Sequence, residues 1–220
     1  MDDLLEAADT TFESTEDTWL QLNVEQLLLD LSSPEVNRRM IAARAFSEIR
    51  ERRAVHDLVC LLQDRCPLVR VSAAYALGRN PCAQAVEPLI GALRQDWNGY
   101  VRKGIVWALG NCCDNRAFGP LVEALITDIP AVRLWAASAL GQLGDPLAFN
   151  ALVEALRSDE LGVVRSNCAW ALGKLEDMRA VPSLIEALED VDLGVRQDAR
   201  EALDTLGYRE EIFDAGDTLL

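Results

Sequence analysis

Guanidinium groups and aromatic rings carry most of the chemistry this sequence offers, and both recur at a fixed interval. Arg70, Arg102, Arg133, Arg165 and Arg196 each follow a valine, and the step from one to the next is constant to within a single position. Arg38 and Arg39 hold the equivalent place in a degenerate copy, with Arg39 one further step upstream of Arg70. Such a row could bind anions, or each arginine could pair with a carboxylate. Its place beside a core valine favours the second reading. So does the acid or hydroxyl six residues before each arginine: Ser33, Asp64, Asp96, Thr127, Asp159 and Asp190. Asp64 with the next unit's arginine, and likewise Asp96, Asp159 and Asp190, would form a ladder that links neighbouring units, because a planar guanidinium suits bidentate or carbonyl-spanning contacts. These turn residues are also placed to act as N-caps.

The aromatic set follows from the same ruler. Five residues after each arginine stand Tyr75, Trp107, Ser138, Trp170 and Glu201, and two after stand Ser72, Gly104, Trp135, Asn167 and Asp198. Trp97 and Tyr100 precede Arg102 in the adjoining turn. Tyr75, Tyr100, Trp107, Trp135 and Trp170, with Lys103, Ser138 and Asn167 between them, are the candidate partner-binding residues, since Trp and Tyr dominate interface energetics. The competing reading is that the rings pack against adjacent helices, because large apolar side chains are usually core.

The elements that must position these groups are pairs of helices. The first helix of each unit carries an Ala-Val-x-x-Leu-x-x-x-Leu frame, as in Ala54, Val55, Leu58 and Leu62 or Ala85, Val86, Leu89 and Leu93, with the apolar positions on one face. Pro88, Pro120 and Pro182 are expected in first turns, where a missing N–H costs little. The second helix reads Val-Arg-x-x-Ala-Ala-x-Ala-Leu-Gly, as in Val69 to Gly78 and Val132 to Gly141. Its valine, alanines and leucine point inward, leaving the positions one, two and five after the arginine outside the core. Gly78, Gly110, Gly141 and Gly173 are expected to end these helices in the left-handed conformation.

A helical repeat of about 30 residues cannot bury its own apolar face and must stack on its neighbours. The expected fold is therefore all-α, an α-α superhelix of about six helical-hairpin repeats over residues 20–206. Residues 1–19 hold seven acids and no Lys or Arg, and read as an acidic N-terminal arm. Leu4, Leu5, Ala8 and Phe12 give that arm an amphipathic alternative. Residues 207–220 read as a C-terminal cap or tail.

These motifs resemble HEAT repeats, and more narrowly the HEAT-like repeats of cyanobacterial bilin lyases. The segments Val101 to Cys112, Thr127 to Gly141 and Val164 to Gly173 are similar to the HEAT-repeat subtype that partners an A-type iron-sulfur carrier. The resemblance implies that the ladder Asp64, Arg70, Asp96, Arg102, Arg133, Asp159, Arg165, Asp190 and Arg196 is structural and that the free positions form a concave wall. It also implies a non-enzymatic protein-interaction adaptor in iron-sulfur or phycobiliprotein metabolism. The alternative is a bilin lyase or bilin-detaching subunit of phycobilisome degradation, acting as one half of a pair with a second HEAT-like subunit.

Charge narrows the partners. The formal net charge of -15 repels nucleic acid and anionic membranes, so the expected partner is another protein with a basic patch. No charged leader followed by an apolar run opens the sequence, and no apolar stretch approaches the roughly 18 residues of a bilayer span, which reads as a cytoplasmic protein. The six cysteines are expected to be reduced thiols. Cys168 takes a core alanine position, and Cys60 also reads as structural. Cys82, Cys112 and Cys113 are weak metal candidates, because no C-x-x-C exists and His56 lies on another helix. No catalytic residue is assigned. No cofactor is expected, with a bilin or an iron-sulfur cluster as the conceivable exceptions.

Overall fold

A computed structural model describes residues 23–208, and every regular element among them is helical. The acidic arm and the tail beyond residue 208 lie outside the described residues. Six helical hairpins follow one another: α1 (23–31) with α2 (Val36–Ala45), α3 (Val55–Leu61) with α4 (Pro67–Arg79), and α5 (Ala83–Gln95) with α6 (Gly99–Cys112). Then come α7 (Phe118–Thr127) with α8 (Pro130–Leu143), α9 (Phe149–Ser158) with α10 (Gly162–Lys174), and α11 (Val181–Ala187) with α12 (Leu193–Thr205). The chain gathers into two compact units that divide within α6, after Ala108.

Each unit has two layers. In the first, α3 packs on α5 and α2 on α4; in the second, α7, α9 and α11 line up as one layer and α8, α10 and α12 as the other. Between the layers lie the positions that recur in the sequence, including Leu58, Leu89, Leu121, Leu152 and Leu184 from the first helices. The second helices supply Val69, Ala73, Val132, Ala136, Val164 and Ala199, all without solvent exposure. Small residues at these positions let helices approach closely, so a core of Ala, Val and Leu can be filled without large rings.

Short 3-10 turns lead into α3, α7, α9 and α11, and each is capped by an acid. Glu51, Asp114, Asp145 and Asp177 accept the N–H two residues ahead. Helix α5 has no such turn and starts directly at Ala83. Pro88 consequently sits inside the helix rather than in its first turn, whereas Pro120 and Pro182 stand in the first turns of α7 and α11.

The repeated glycines do not end their helices. Gly78, Gly110, Gly141 and Gly173 lie inside α4, α6, α8 and α10, and the left-handed residues fall later, at Cys113, Gly144, Glu176 and Gly207. After α4 that place belongs to Pro81, which cannot take positive φ, and the helix ends at Asn80 instead. The glycines serve packing. A Cβ on Gly141 would come within 2.9 Å of Ala171 Cα, one on Gly173 within 2.9 Å of Ala202 Cβ, and one on Gly78 would run into the Trp107 ring.

Candidate functional site

Each repeated arginine is anchored in its own turn, and Arg39, Arg70, Arg133 and Arg165 are held from a second direction as well. Its Nη1 donates to a carbonyl in the turn that opens its own helix: Asp64 O for Arg70 at 2.9 Å, Asp96 O for Arg102 at 2.9 Å, Asp159 O for Arg165 at 2.8 Å and Asp190 O for Arg196 at 2.6 Å. Arg39 does the same to Ser33 O at 2.8 Å. In those four the rest of the guanidinium reaches forward to the acid of the following repeat. Arg70 Nε and Nη2 donate to Asp96 Oδ2 and Oδ1 at 2.6 and 2.9 Å, Arg133 grips Asp159 at 2.7 and 3.0 Å, and Arg165 grips Asp190 at 2.8 and 2.7 Å. Arg39 reaches Asp64 at 2.6 Å.

The ladder therefore runs in the opposite sense to the sequence expectation. Each acid meets the arginine of the preceding repeat, not the next, because the guanidinium projects from the start of its helix toward the following turn. Nor are these acids N-caps. They sit two residues ahead of the caps and accept the N–H of the cap residue itself, as Asp64 accepts Cys66 N–H at 2.8 Å and Asp159 accepts Leu161 N–H at 3.0 Å. In the fourth repeat the connection differs: Thr127 bonds back to Glu123 O, and Arg133 takes Asp128 O instead.

The electrostatics match the geometry. Burial raises the Asp64 and Asp159 carboxyls, but the arginine hydrogen bonds, the backbone N–H and the arginine charges outweigh it and hold both below the ordinary value. At Asp190 the Arg165 hydrogen bond is the largest influence and the result is again a lowered carboxyl. The arginines shift upward in return, chiefly through those same hydrogen bonds. With both partners charged and bonded, the row has little left to offer an incoming anion.

The outward positions of the second helices carry half-buried aromatic rings. In the first unit, Tyr75 and Trp107 lie with ring centroids 5.4 Å apart at 51°. Trp107 rests over Gly78, and Tyr75 lies against Gly104, 3.6 Å from where a Cβ would stand. Tyr100, Lys103, Gly104 and Trp107 share one face of α6 by helical spacing. Tyr100 is 75% exposed, and Trp97 in the adjoining turn is 76% exposed with its ring 5.8 Å from the Arg70 guanidinium.

In the second unit, Ser138 Oγ donates to Asn167 Oδ1 at 2.6 Å while Asn167 Nδ2 donates to Val163 O at 3.0 Å. Trp135 is half-buried on α8. Trp170 rests against Gly141, with the Lys174 ammonium 5.7 Å from its ring centre. Trp170, Gly173, Lys174, Asp198, Glu201 and Thr205 line a recess of about 110 Å³. Ser166 Oγ donates to Asp198, and Gln197 Nε2 donates to Glu201 at 3.2 Å. The two readings of the tryptophans thus merge: one side of each of Trp107 and Trp170 covers a glycine of the preceding repeat, and the rest faces solvent. Lys174 escaped the sequence reading because it lies four residues beyond Trp170, off the two-and-five ruler.

The thiols stay apart from this chemistry. Burial pushes the Cys168 thiol well up, so it is inert. Cys113 donates its S–H to Gly110 O, and Cys82 precedes α5. Among the described residues no group of three or more His, Cys, Asp and Glu side chains is gathered to hold a metal. His56 is exposed beside Asp57.

Paired helices bound by arginine–aspartate rungs, with a small-residue core, define a HEAT-type repeat protein. The family model described as HEAT repeats matches residues 23–97, 86–173 and 150–212, and the chain belongs to that family. Among solved structures it is similar to the complex of CpcE and CpcF of phycocyanin lyase from Nostoc sp. PCC7120, at 26% identity and a TM-score of 0.65 over 84% of this chain and 77% of that one. It is also similar to a designed armadillo repeat protein in complex with the peptide (KR)4, at 23% identity and a TM-score of 0.64 over 83% of this chain and 99% of that one. No curated relative matches significantly. No helix among the described residues is long and apolar enough to cross a membrane.

Proposed function

We infer that this chain is a non-enzymatic protein-interaction scaffold whose outward second-helix faces bind a partner through a basic patch. The observation that carries this reading is the Trp170 recess. There a ring braced from behind by Gly141 already attracts a cation, Lys174, and two carboxylates, Asp198 and Glu201, stand on the adjoining helix. A partner arginine entering the recess would replace Lys174 over the ring, since a guanidinium is more weakly hydrated than an ammonium and stacks on aromatic faces. Tyr75 and Trp107, with Tyr100 two turns away on the same face of α6, supply the first unit with an aromatic face of its own. The designed armadillo neighbour, which is in complex with the peptide (KR)4, supports this reading.

The test is fluorescence anisotropy with a labelled peptide of alternating lysine and arginine and the full chain. Trp170→Ala is expected to weaken binding about tenfold, the scale of a central interface aromatic. Undiminished affinity, with helical circular dichroism intact, removes Trp170 from the binding surface.

The likeness to the phycocyanin lyase complex supports a second reading, a bilin lyase or bilin-detaching subunit that works beside a second HEAT-like chain. The motif resemblance likewise points the scaffold toward iron-sulfur or phycobiliprotein metabolism. A shift of phycocyanobilin absorbance on mixing with this chain favours the lyase reading; its absence across several apoproteins counts against it.

A further inference from the structure

Three arginines converge where the chain's usual rule of neutralisation fails. Elsewhere in the turns between repeats, an arginine is met by a carboxylate two residues before it: Arg53 by Glu51, Arg116 by Asp114 and Arg179 by Asp177. Arg50, Arg52 and Arg79 line a single cavity of about 730 Å³ in the first unit, and none of the three has a carboxylate within ion-pairing distance among the described residues. In a chain with 36 acids and 21 basic residues, three guanidiniums around one hollow with no carboxylate partner among the described residues stand out.

The grouping is built into the fold. Asn80, only 8% exposed, follows Arg79 and ends α4. Its Nδ2 donates to Phe46 O at 3.0 Å and Ala76 O at 2.9 Å, while its Oδ1 accepts Glu51 N–H at 2.9 Å. Glu51 stands between Arg50 and Arg52. One buried amide therefore ties the end of α4 to the turn before α3 and brings all three arginines to the same rim. The Glu51 carboxylate does not quench them, because it is turned to Arg53, accepting its backbone N–H and its Nη2, both at 3.0 Å. Arg53 is further occupied by Glu25 at 2.6 Å. Val55, Pro81 and Ala83 add apolar lining to the cavity.

We propose that this cavity is a binding site for an acidic peptide segment of a partner protein, independent of the Trp170 recess. Guanidiniums suit carboxylates through paired N–H donors. A small anionic metabolite is a poorer match. Pockets for such ligands rely on convergent buried polar groups, and the buried polar side chain of this cavity, Asn80, is spent on the backbone. A peptide needs only the charge and a hollow large enough for several side chains. The chain's negative total does not prevent this, because at physiological salt charges beyond about 8 Å are largely screened and the nearest groups decide.

The experiment is a titration of the full chain against a fluorescein-labelled oligoglutamate peptide, read by anisotropy. The parent is expected to bind it, and the triple variant Arg50→Gln, Arg52→Gln, Arg79→Gln to bind at least about tenfold more weakly. A control triple, Arg44→Gln, Arg94→Gln, Arg200→Gln, changes the net charge equally at exposed arginines elsewhere and is expected to keep parental affinity. The proposal is overturned if the parent does not bind, if the cavity variant binds like the parent, or if both triples lose equally. It is also overturned if inorganic tripolyphosphate displaces the peptide at concentrations where free glutamate oligomers do not, which would assign the cavity to phosphate ligands. The Trp170→Ala chain is expected to bind the acidic peptide normally, so the two sites are tested separately.

Discussion

Arg70 and Asp96 are 9% and 5% exposed at their side chains, and Arg133 and Asp159 are 14% and 7% exposed, so these rungs are largely shielded from water. Exposed pairs such as Arg38–Asp30 contribute under about 1 kcal/mol, but removing one partner of a shielded pair strands the other and costs about 3 kcal/mol or more. The lowered carboxyls set the pH dependence. A group depressed in the folded state stabilises the fold above its unfolded pKa, near 4, and that contribution fades as pH falls through the folded value. Protonating the other acids has the opposite sign, since it relieves the repulsion of an acidic chain. Comparing parent with Asp159→Asn separates the two. The variant is expected to be less stable at neutral pH by about 3 kcal/mol and to lose less further stability between about pH 5 and pH 2. Urea unfolding along that range measures it, and parallel curves for the two proteins would show that the rung is not linked to folding.

At the scale of the element, the glycines inside the second helices set the spacing between repeats. Replacing a mid-helix glycine by alanine ordinarily stabilises a helix by up to about 1 kcal/mol. Gly141 is expected to behave in reverse, because the new Cβ would stand 2.9 Å from the Ala171 backbone and 3.1 Å from the Trp170 ring. A backbone atom cannot step aside without moving α10. Gly141→Ala should therefore destabilise by about 1 to 3 kcal/mol, and it should alter tryptophan emission as Trp170 is pushed outward. Thermal unfolding with fluorescence reads both effects; a stabilised variant would mean that the helices separate at no cost. Glycine after a hydrophobic frame is the usual stop signal, which is why the sequence pattern points to helix ends at these glycines. The left-handed turn fell three residues later for most helices, and nothing local to Gly141 distinguishes a packing glycine from a capping one.

Across the whole molecule, repeats that lean on their neighbours open locally rather than all at once. The division of the chain after Ala108 gives this a concrete form. Arg70→Gln is expected to speed backbone hydrogen exchange in α2 to α5 while α8 to α12 keep most of their protection, as mass spectrometry of deuterated peptides would show. Uniform loss along the chain would instead mark one cooperative unit. The sequence by itself determined the helical hairpins, their number, the inward alanines and leucines, and the outward places of Trp107, Trp135 and Trp170. Those follow from periodicity, a property of the chain read one residue after another. Only the tertiary structure decided which carboxylate each arginine meets and that Trp107 and Trp170 cover glycines of the preceding repeat. It also decided that Asn80 draws Arg50, Arg52 and Arg79 to one cavity. Most of these contacts join segments a full repeat apart, and they are chosen by how one hairpin seats on the next. Spacing along the chain carries no record of that choice.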